Sequence, residues 1–282
     1  MIKNVLITGT SSGIGKSCTE LLAGNNFRVF ACIRNRKEIQ SLNYDKHPNI
    51  IPIIMDLQDE KDIESAYNEL CKKITNEGLQ GIVNNAAIAV GGPLEFSTME
   101  IIKDQFDVNL FGQIRVIQRF MPLLRAGKGR IINISSNNGF LSFPYMGVYC
   151  ATKFALEAIS DALRLELKKW NIPVIVINPD KITSRMWQKS IQKSDDSFYK
   201  LKKEAEDAYG DSYRKFIAAI GKIEGKALSP IIVAKSVRRA LNSPNPKTRY
   251  LPGFEAKITF LISKFFPKKL LNYLILKELN LK

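Results

Sequence analysis

Histidine is almost missing from this chain, and its scarcity excludes two enzyme classes. The single copy, His47, precedes Pro48 in a polar stretch. With one histidine and no close cysteine pair, a zinc site is not expected. A hydrolase built on a Ser-His pair would have to use His47, in a poor setting. The four cysteines, Cys18, Cys32, Cys71 and Cys150, lie far apart without CxxC spacing. They read as buried free thiols in a reducing, cytoplasmic compartment. Every apolar run is far shorter than the roughly 18 to 20 residues of a spanning helix, so no transmembrane segment is expected. A secretory leader is not expected either, because only Lys3 precedes Val5-Leu6-Ile7 and a Gly-rich turn cuts that run off. Acidic charge is also short: 27 Asp and Glu face 42 Lys and Arg, a formal net charge of +15 over 282 residues.

That excess could serve nucleic acid, a membrane surface or an anionic small molecule. It is spread rather than blocked, with no run of five like charges and no nucleic-acid recognition motif. It reads mostly as a solvated lysine-rich surface. Hydrophobic residues at 45% and charged residues at 24% are ordinary for a globular chain.

Short apolar runs alternate with longer amphipathic stretches. Residues 5–8, 28–33, 50–55, 81–84, 130–134 and 174–177 read as strands buried on both faces. Helices are expected over 13–24, 58–77, 97–125 and 147–170. The alternation predicts a single-domain α/β Rossmann fold, a doubly wound parallel sheet with helices on both faces, over residues 1–253. Residues 183–228, polar and Lys-rich, follow the sixth strand as an insertion. Ligands of such sheets bind beyond the carboxyl ends of the strands, so a helical lid over the substrate is expected there. Residues 254–282 form an amphipathic basic extension, too apolar for a solvated tail. It either docks on the body or a neighbouring subunit, or makes peripheral contact with a membrane through its apolar residues and Lys257, Lys264, Lys268, Lys269 and Lys277.

Directly after the first strand stands Thr8-Gly9-Thr10-Ser11-Ser12-Gly13-Ile14-Gly15, opening a helix. Glycines at such a turn let backbone amides approach a pyrophosphate. The second strand ends Ile33-Arg34-Asn35-Arg36, without the carboxylate that would hold a ribose diol. Arg34 offers a planar fork for a 2′-phosphate, which favours NADP(H) over NAD(H), unless it is simply a surface charge. Asp56, ending the third strand, either accepts from the adenine amino group or caps the next helix.

Tyr149 and Lys153 stand four residues apart, on one helical face. A phenol with a pKa near ~10 exchanges protons poorly at neutral pH, and a fixed ammonium nearby lowers that value. Ser136 ends the fifth strand, where its hydroxyl can meet the same substrate oxygen. Ser135 competes for that role.

Together Thr8-Gly9-xxx-Gly13-Ile14-Gly15, Asp56-Leu57, Asn84-Asn85-Ala86-Ala87, Asn109 in Val-Asn-Leu-Phe-Gly, Ser135-Ser136 and Tyr149-xxx-Lys153 resemble the compact short-chain dehydrogenase/reductase family over about residues 3–252. The resemblance implies that Tyr149 is the general acid and base, that Lys153 binds the nicotinamide ribose and tunes the phenol, that Ser136 holds the carbonyl oxygen, and that Asn109 holds a relay water. It implies cofactor contacts from Gly9, Ser11, Ser12, Gly13, Ile14, Gly15, Arg34, Asp56, Leu57, Asn85, Ala86, Ala87, Tyr149, Lys153, Pro179, Ile182 and Ser184. No metal is implied.

Two positions depart from the family pattern. Ala87 replaces a glycine, and Asp180 follows Pro179 where glycine is usual, a place where the backbone can need φ > 0. Residues 148–157, 182–190 and 249–257 are similar to the retinol and hydroxysteroid dehydrogenase branch, which implies a lipophilic alcohol, ketone or aldehyde. Phe140, Phe143, Met146, Met186 and Trp187 would then line an apolar pocket beside Ser136 and Tyr149, their other reading being plain core or lid packing. The family also implies a homodimer or homotetramer through the two long helices. The rival reading is a non-catalytic dinucleotide-binding regulator or scaffold, which the complete Asn109, Ser136, Tyr149 and Lys153 set argues against.

Overall fold

Seven short strands assemble into one parallel sheet in the computed structural model, which describes residues 2–42, 44, 47–74, 77–183, 203–224 and 227–281. They are β1 (Lys3–Ile7), β2 (Phe27–Ile33), β3 (Ile50–Ile54), β4 (Gly81–Asn84), β5 (Ile131–Ile134), β6 (Val174–Ile177) and β7 (Arg249–Tyr250). Their order is β3-β2-β1-β4-β5-β6-β7. All pairings are parallel. The order reverses at β1, so the crevice beyond the ends of β1 and β4 is where a dinucleotide belongs in such a sheet.

Alternation along each strand divides the core into two layers. Val5, Ile7, Val29 and Ala31 pack with Cys18 and Leu22 of α1 (Gly13–Ala23) on one face. Leu6, Phe30 and Ile53 pack on the other face with Ile63 and Leu70 of a helix spanning Glu60–Lys73. The remaining helix of the β2–β3 crossover is α2 (Arg36–Leu42), which makes Glu60–Lys73 α3. Asp59 caps α3, its carboxylate accepting the Lys61 N–H at 2.8 Å. Glu60 and Asp62 occupy the first turn and Lys72 and Lys73 the last, each sign at the helix end that favours it. The cap is therefore Asp59, and Asp56 instead turns back to accept the Gln58 N–H at 3.0 Å.

The continuous helix expected over 97–125 is two helices, α4 (Met99–Phe106) and α5 (Gly112–Ala126), joined by a π-helical turn at Asp107–Phe111. The wider turn accommodates one extra residue and carries buried Asn109. The next helix, α6 (Gly147–Glu166), passes into a 3₁₀ turn at Leu167–Trp170.

The described part of the insertion forms α7 (Lys203–Glu224). Then come α8 (Ile231–Asn242) and β7, which the strand-helix reading did not contain. β7 is only two residues long, too short for a periodicity signal, and is held by pairing to β6. The extension forms α9 (Phe254–Phe265) and α10 (Lys268–Glu278), docked on the body through Ala256, Leu271 and Leu279. Of the cysteines, Cys18, Cys32 and Cys150 are buried as expected, but Cys71 is exposed on α3; all four are free thiols. Among the described residues no helix is long and apolar enough to cross a membrane, and no cluster of His, Cys, Asp and Glu could hold a metal.

Candidate active site

The turn after β1 is shaped by close backbone approach. Gly9 takes φ +68°, and a Cβ on Gly15 would stand 2.1 Å from the Gly9 carbonyl oxygen, so no side chain fits there. α1 opens at Gly13 with no side-chain cap on its first amides and no acidic residue in its first turn. Such a helix start is suited to an anion. The cleft it faces has a volume of about 260 Å³. Gly9, Ser11, Ser12, Gly13, Ile14, Arg34, Asp56, Leu57, Asn85, Ala86, Ala87, Tyr149 and Lys153 all line it, whereas Gly15 lies behind them in the turn. Asn85 locks this wall, its amide donating to the carbonyls of Thr8 at 2.9 Å and Gly9 at 3.0 Å. Lined by glycines and by the cations Arg34 and Lys153, the cleft suits a dinucleotide. Glu38 also lines it and was not singled out from the sequence.

α6 carries Tyr149 and Lys153 to the far end of the cleft, both buried. The Lys153 ammonium donates to the Ile134 carbonyl at 3.0 Å and lies 5.7 Å from the centre of the Tyr149 ring. Burial pulls Lys153 down to about 8, and the Glu157 carboxylate works against that shift. Burial also pushes the Tyr149 phenol above its ordinary range, with a hydrogen bond to the Ser136 side chain opposing it. Desolvation therefore sets the direction for the phenol, opposite to the lowering expected from Lys153. Asn109 donates to the Ile88 carbonyl at 2.8 Å and to Thr152 Oγ1 at 3.2 Å, and accepts the Ile88 N–H at 2.8 Å. Both its amide protons are engaged in holding the β4 loop against α6.

A second cavity, of about 400 Å³, opens on the other side of Ser136. Leu141, Phe143, Met146, Phe216, Ile220 and Ile262 give it an apolar lining, drawn from the β5 loop, α7 and α9. Pro179 and Ile182, expected at the cofactor, line this cavity instead, as does Asp180. Asp180 is not among the residues with positive φ, so the strain anticipated for replacing glycine there is absent. Its carboxyl is raised by burial, with Lys181 pulling the other way. Phe140 packs edge-on against Phe260 of α9 with ring centres 5.2 Å apart. Ser184, Met186 and Trp187 lie outside the described residues. Ser135 lines the dinucleotide cleft and its hydroxyl finds no partner among the described residues, whereas Ser136 lines the apolar cavity and its hydroxyl accepts the Asn138 N–H at 3.2 Å.

A family model for short chain dehydrogenases matches residues 3–195. The chain belongs to that family. Its membership rests also on overall similarity to an NADPH-dependent 3-dehydrocapnine reductase of Ornithobacterium rhinotracheale, 31% identical over 99% of this chain and 98% of that protein. Retinol dehydrogenase 7 of Rattus norvegicus is 32% identical over 94% of this chain and 85% of its own. Among solved structures, a short chain dehydrogenase from Burkholderia cenocepacia in complex with NADP superposes with a TM-score of 0.74 over 98% of both chains at 20% identity, a likeness of fold. As a member of the short chain dehydrogenase family, the chain is an oxidoreductase on a single-domain α/β fold.

Besides Glu38, two site features escaped the sequence reading. Glu157 stands one turn beyond Lys153 on α6, a spacing that could have marked it. Arg249 pairs with Glu157 at 2.6 Å from a strand that has no sequence signal.

Proposed function

We propose that the protein transfers hydride between NADP(H) and a lipophilic ketone, aldehyde or alcohol, with Tyr149 as general acid in reduction and general base in oxidation. The observation that carries this reading is that Tyr149 lines the dinucleotide cleft and packs in one apolar cluster with Met146 and Phe216, which line the second cavity together with Ser136. Tyr149 and Ser136 stand on the wall that a reacting carbonyl would have to touch from the cavity side.

The cofactor, when bound, supplies the hydride. Everything else falls to the chain. Ser136 donates to the substrate oxygen and holds it beside the phenol. Tyr149 delivers its proton to that oxygen, and because the site is buried few other donors can reach it. Lys153 holds positive charge next to the phenol as its proton leaves. The apolar lining accepts the rest of the substrate and excludes water. Arg34 is the residue we assign to a 2′-phosphate; the NADPH-dependent relative and the NADP-bound fold neighbour support that reading.

We further propose that two or four copies assemble through α5 and α6, where Phe154 and Leu165 of α6 stand exposed beside Phe111 of the π turn. Oxidation of NADPH followed with a panel of hydrophobic ketones tests the catalytic reading. Tyr149→Phe should lose roughly 10²- to 10⁴-fold in kcat while still binding NADPH. A protein that binds NADPH yet turns over no member of the panel, with or without Tyr149, would instead be a dinucleotide-binding regulator.

A further inference from the structure

The extension docks on the body with one face and leaves the other open. Among the described residues, sixteen large apolar side chains are exposed, and nine of them fall between Phe254 and Leu276. On α9 they form a stripe: Phe254, Ile258, Leu261 and Phe265 recur at spacings of four, three and four, the repeat of one helical face. Phe254 and Phe265 are 76% and 78% exposed. On α10, Leu270, Tyr273 and Leu274 make the same kind of row.

Charge on this hairpin is equally lopsided. Its two carboxylates, Glu255 and Glu278, turn toward Lys181 at 3.8 and 3.5 Å. Lys257, Lys264, Lys268, Lys269 and Lys277 are exposed, and none has a carboxylate partner among the described residues. Apolar rows bordered by unpaired lysines match the boundary of an anionic bilayer, where acyl chains meet negative headgroups. A second copy of the same hairpin would bring like charges together, which disfavours self-pairing through this face.

The hairpin is also the wall of the apolar cavity. Ile258 and Leu274 belong to both, exposed on the outside and lining the cavity on the inside. We propose that α9 and α10 seat the protein on an anionic lipid surface, with the cavity mouth facing the bilayer so that a lipid-dissolved substrate enters without crossing water. The docking stands on the hairpin alone; the entry route rests on the function proposed above.

Flotation of the full chain with vesicles tests the docking. Vesicles of phosphatidylcholine containing about one third phosphatidylserine should carry the protein upward, pure phosphatidylcholine much less, and salt should release it. Leu261→Ser with Phe265→Ser, and separately Lys264→Gln with Lys268→Gln and Lys269→Gln, should each cut the floated fraction by about tenfold. Neither set lines the cavity, so NADPH oxidation with a water-soluble ketone should persist and report folding. Failure of the wild-type chain to float, or undiminished flotation of both variants, overturns the proposal. So does a change in oligomeric state on sedimentation of the serine variant, which would make this face a contact between copies. Flotation needs no turnover: a protein that floats but is inert toward every ketone keeps the docking and loses the catalytic reading.

Discussion

Arg249 of β7 meets Glu157 of α6 at 2.6 Å, one helical turn past Lys153. The same carboxylate accepts from the Asn178 amide at 2.6 Å, and the guanidinium also reaches Asn178 and stacks 5.2 Å over Phe260 of α9. A network therefore runs from the site lysine to the edge strand and on to the C-terminal hairpin.

Its consequence is a pH effect. Glu157 favours the charged form of Lys153 while burial disfavours it, leaving the group at about 8. Removing the carboxylate takes away the negative charge that holds the proton, so the value falls further. Glu157→Gln should move the alkaline limb of the kcat profile toward lower pH. Arg249→Met should oppose that direction if the protein stays folded, because it leaves the carboxylate unneutralised. A pH profile identical to wild type in Glu157→Gln would remove Glu157 from this role.

Ser136→Ala deletes the hydroxyl proposed to hold the substrate oxygen. Loss of one such donor typically costs about 10²- to 10³-fold in kcat. NADPH affinity, set in the other cleft, should stay within about twofold of wild type by fluorescence titration.

Arg34→Ala should weaken NADPH binding by about tenfold or more and leave NADH binding nearly unchanged, since a charged hydrogen bond to a phosphate contributes about 1.5–3 kcal/mol. Equal losses for both cofactors would show that Arg34 does not read the 2′-phosphate.

Gly15→Ala places a methyl where the Gly9 carbonyl already stands. The strand-to-helix turn would have to open, at a cost of about 1–3 kcal/mol or more. Thermal unfolding should shift downward and dinucleotide protection against it should shrink.

The contact between Tyr145 and α7 offers a mechanical test. Tyr145, at φ +61°, donates to Ser212 of α7 at 2.6 Å and packs its ring against Tyr209, Tyr213 and Phe216. Tyr145→Ala should detach α7 and raise KM for a bulky ketone, with a loss of about 1–3 kcal/mol in stability. Tyr145→Phe, which keeps the ring, should retain most of both, and proteolysis within α7 would track the difference.

Much of this was readable before any coordinate. Strands β1 to β6 announced themselves because a strand covered on both faces must be apolar throughout, and the glycine turn because only glycine allows the Gly9 and Gly15 backbones so close. Tyr149 and Lys153 could be paired by number alone, since four residues of helix make one turn. The π turn at Asp107–Phe111 was not readable, because it depends on Asn109 reaching Ile88 of another loop. Arg249 was hidden for the same reason: its partner is 92 positions away.

Local periodicity and backbone sterics act between neighbours in the chain, so the sequence by itself determined the layered sheet, the anion-ready helix start and the tyrosine-lysine face. Burial, long-range pairing and cavity shape arise only when distant segments meet. The tertiary structure alone decided that Tyr149 is buried deeply enough for desolvation to raise its phenol, that Ser135 and Ser136 face different cavities, and that the C-terminal hairpin walls the apolar one.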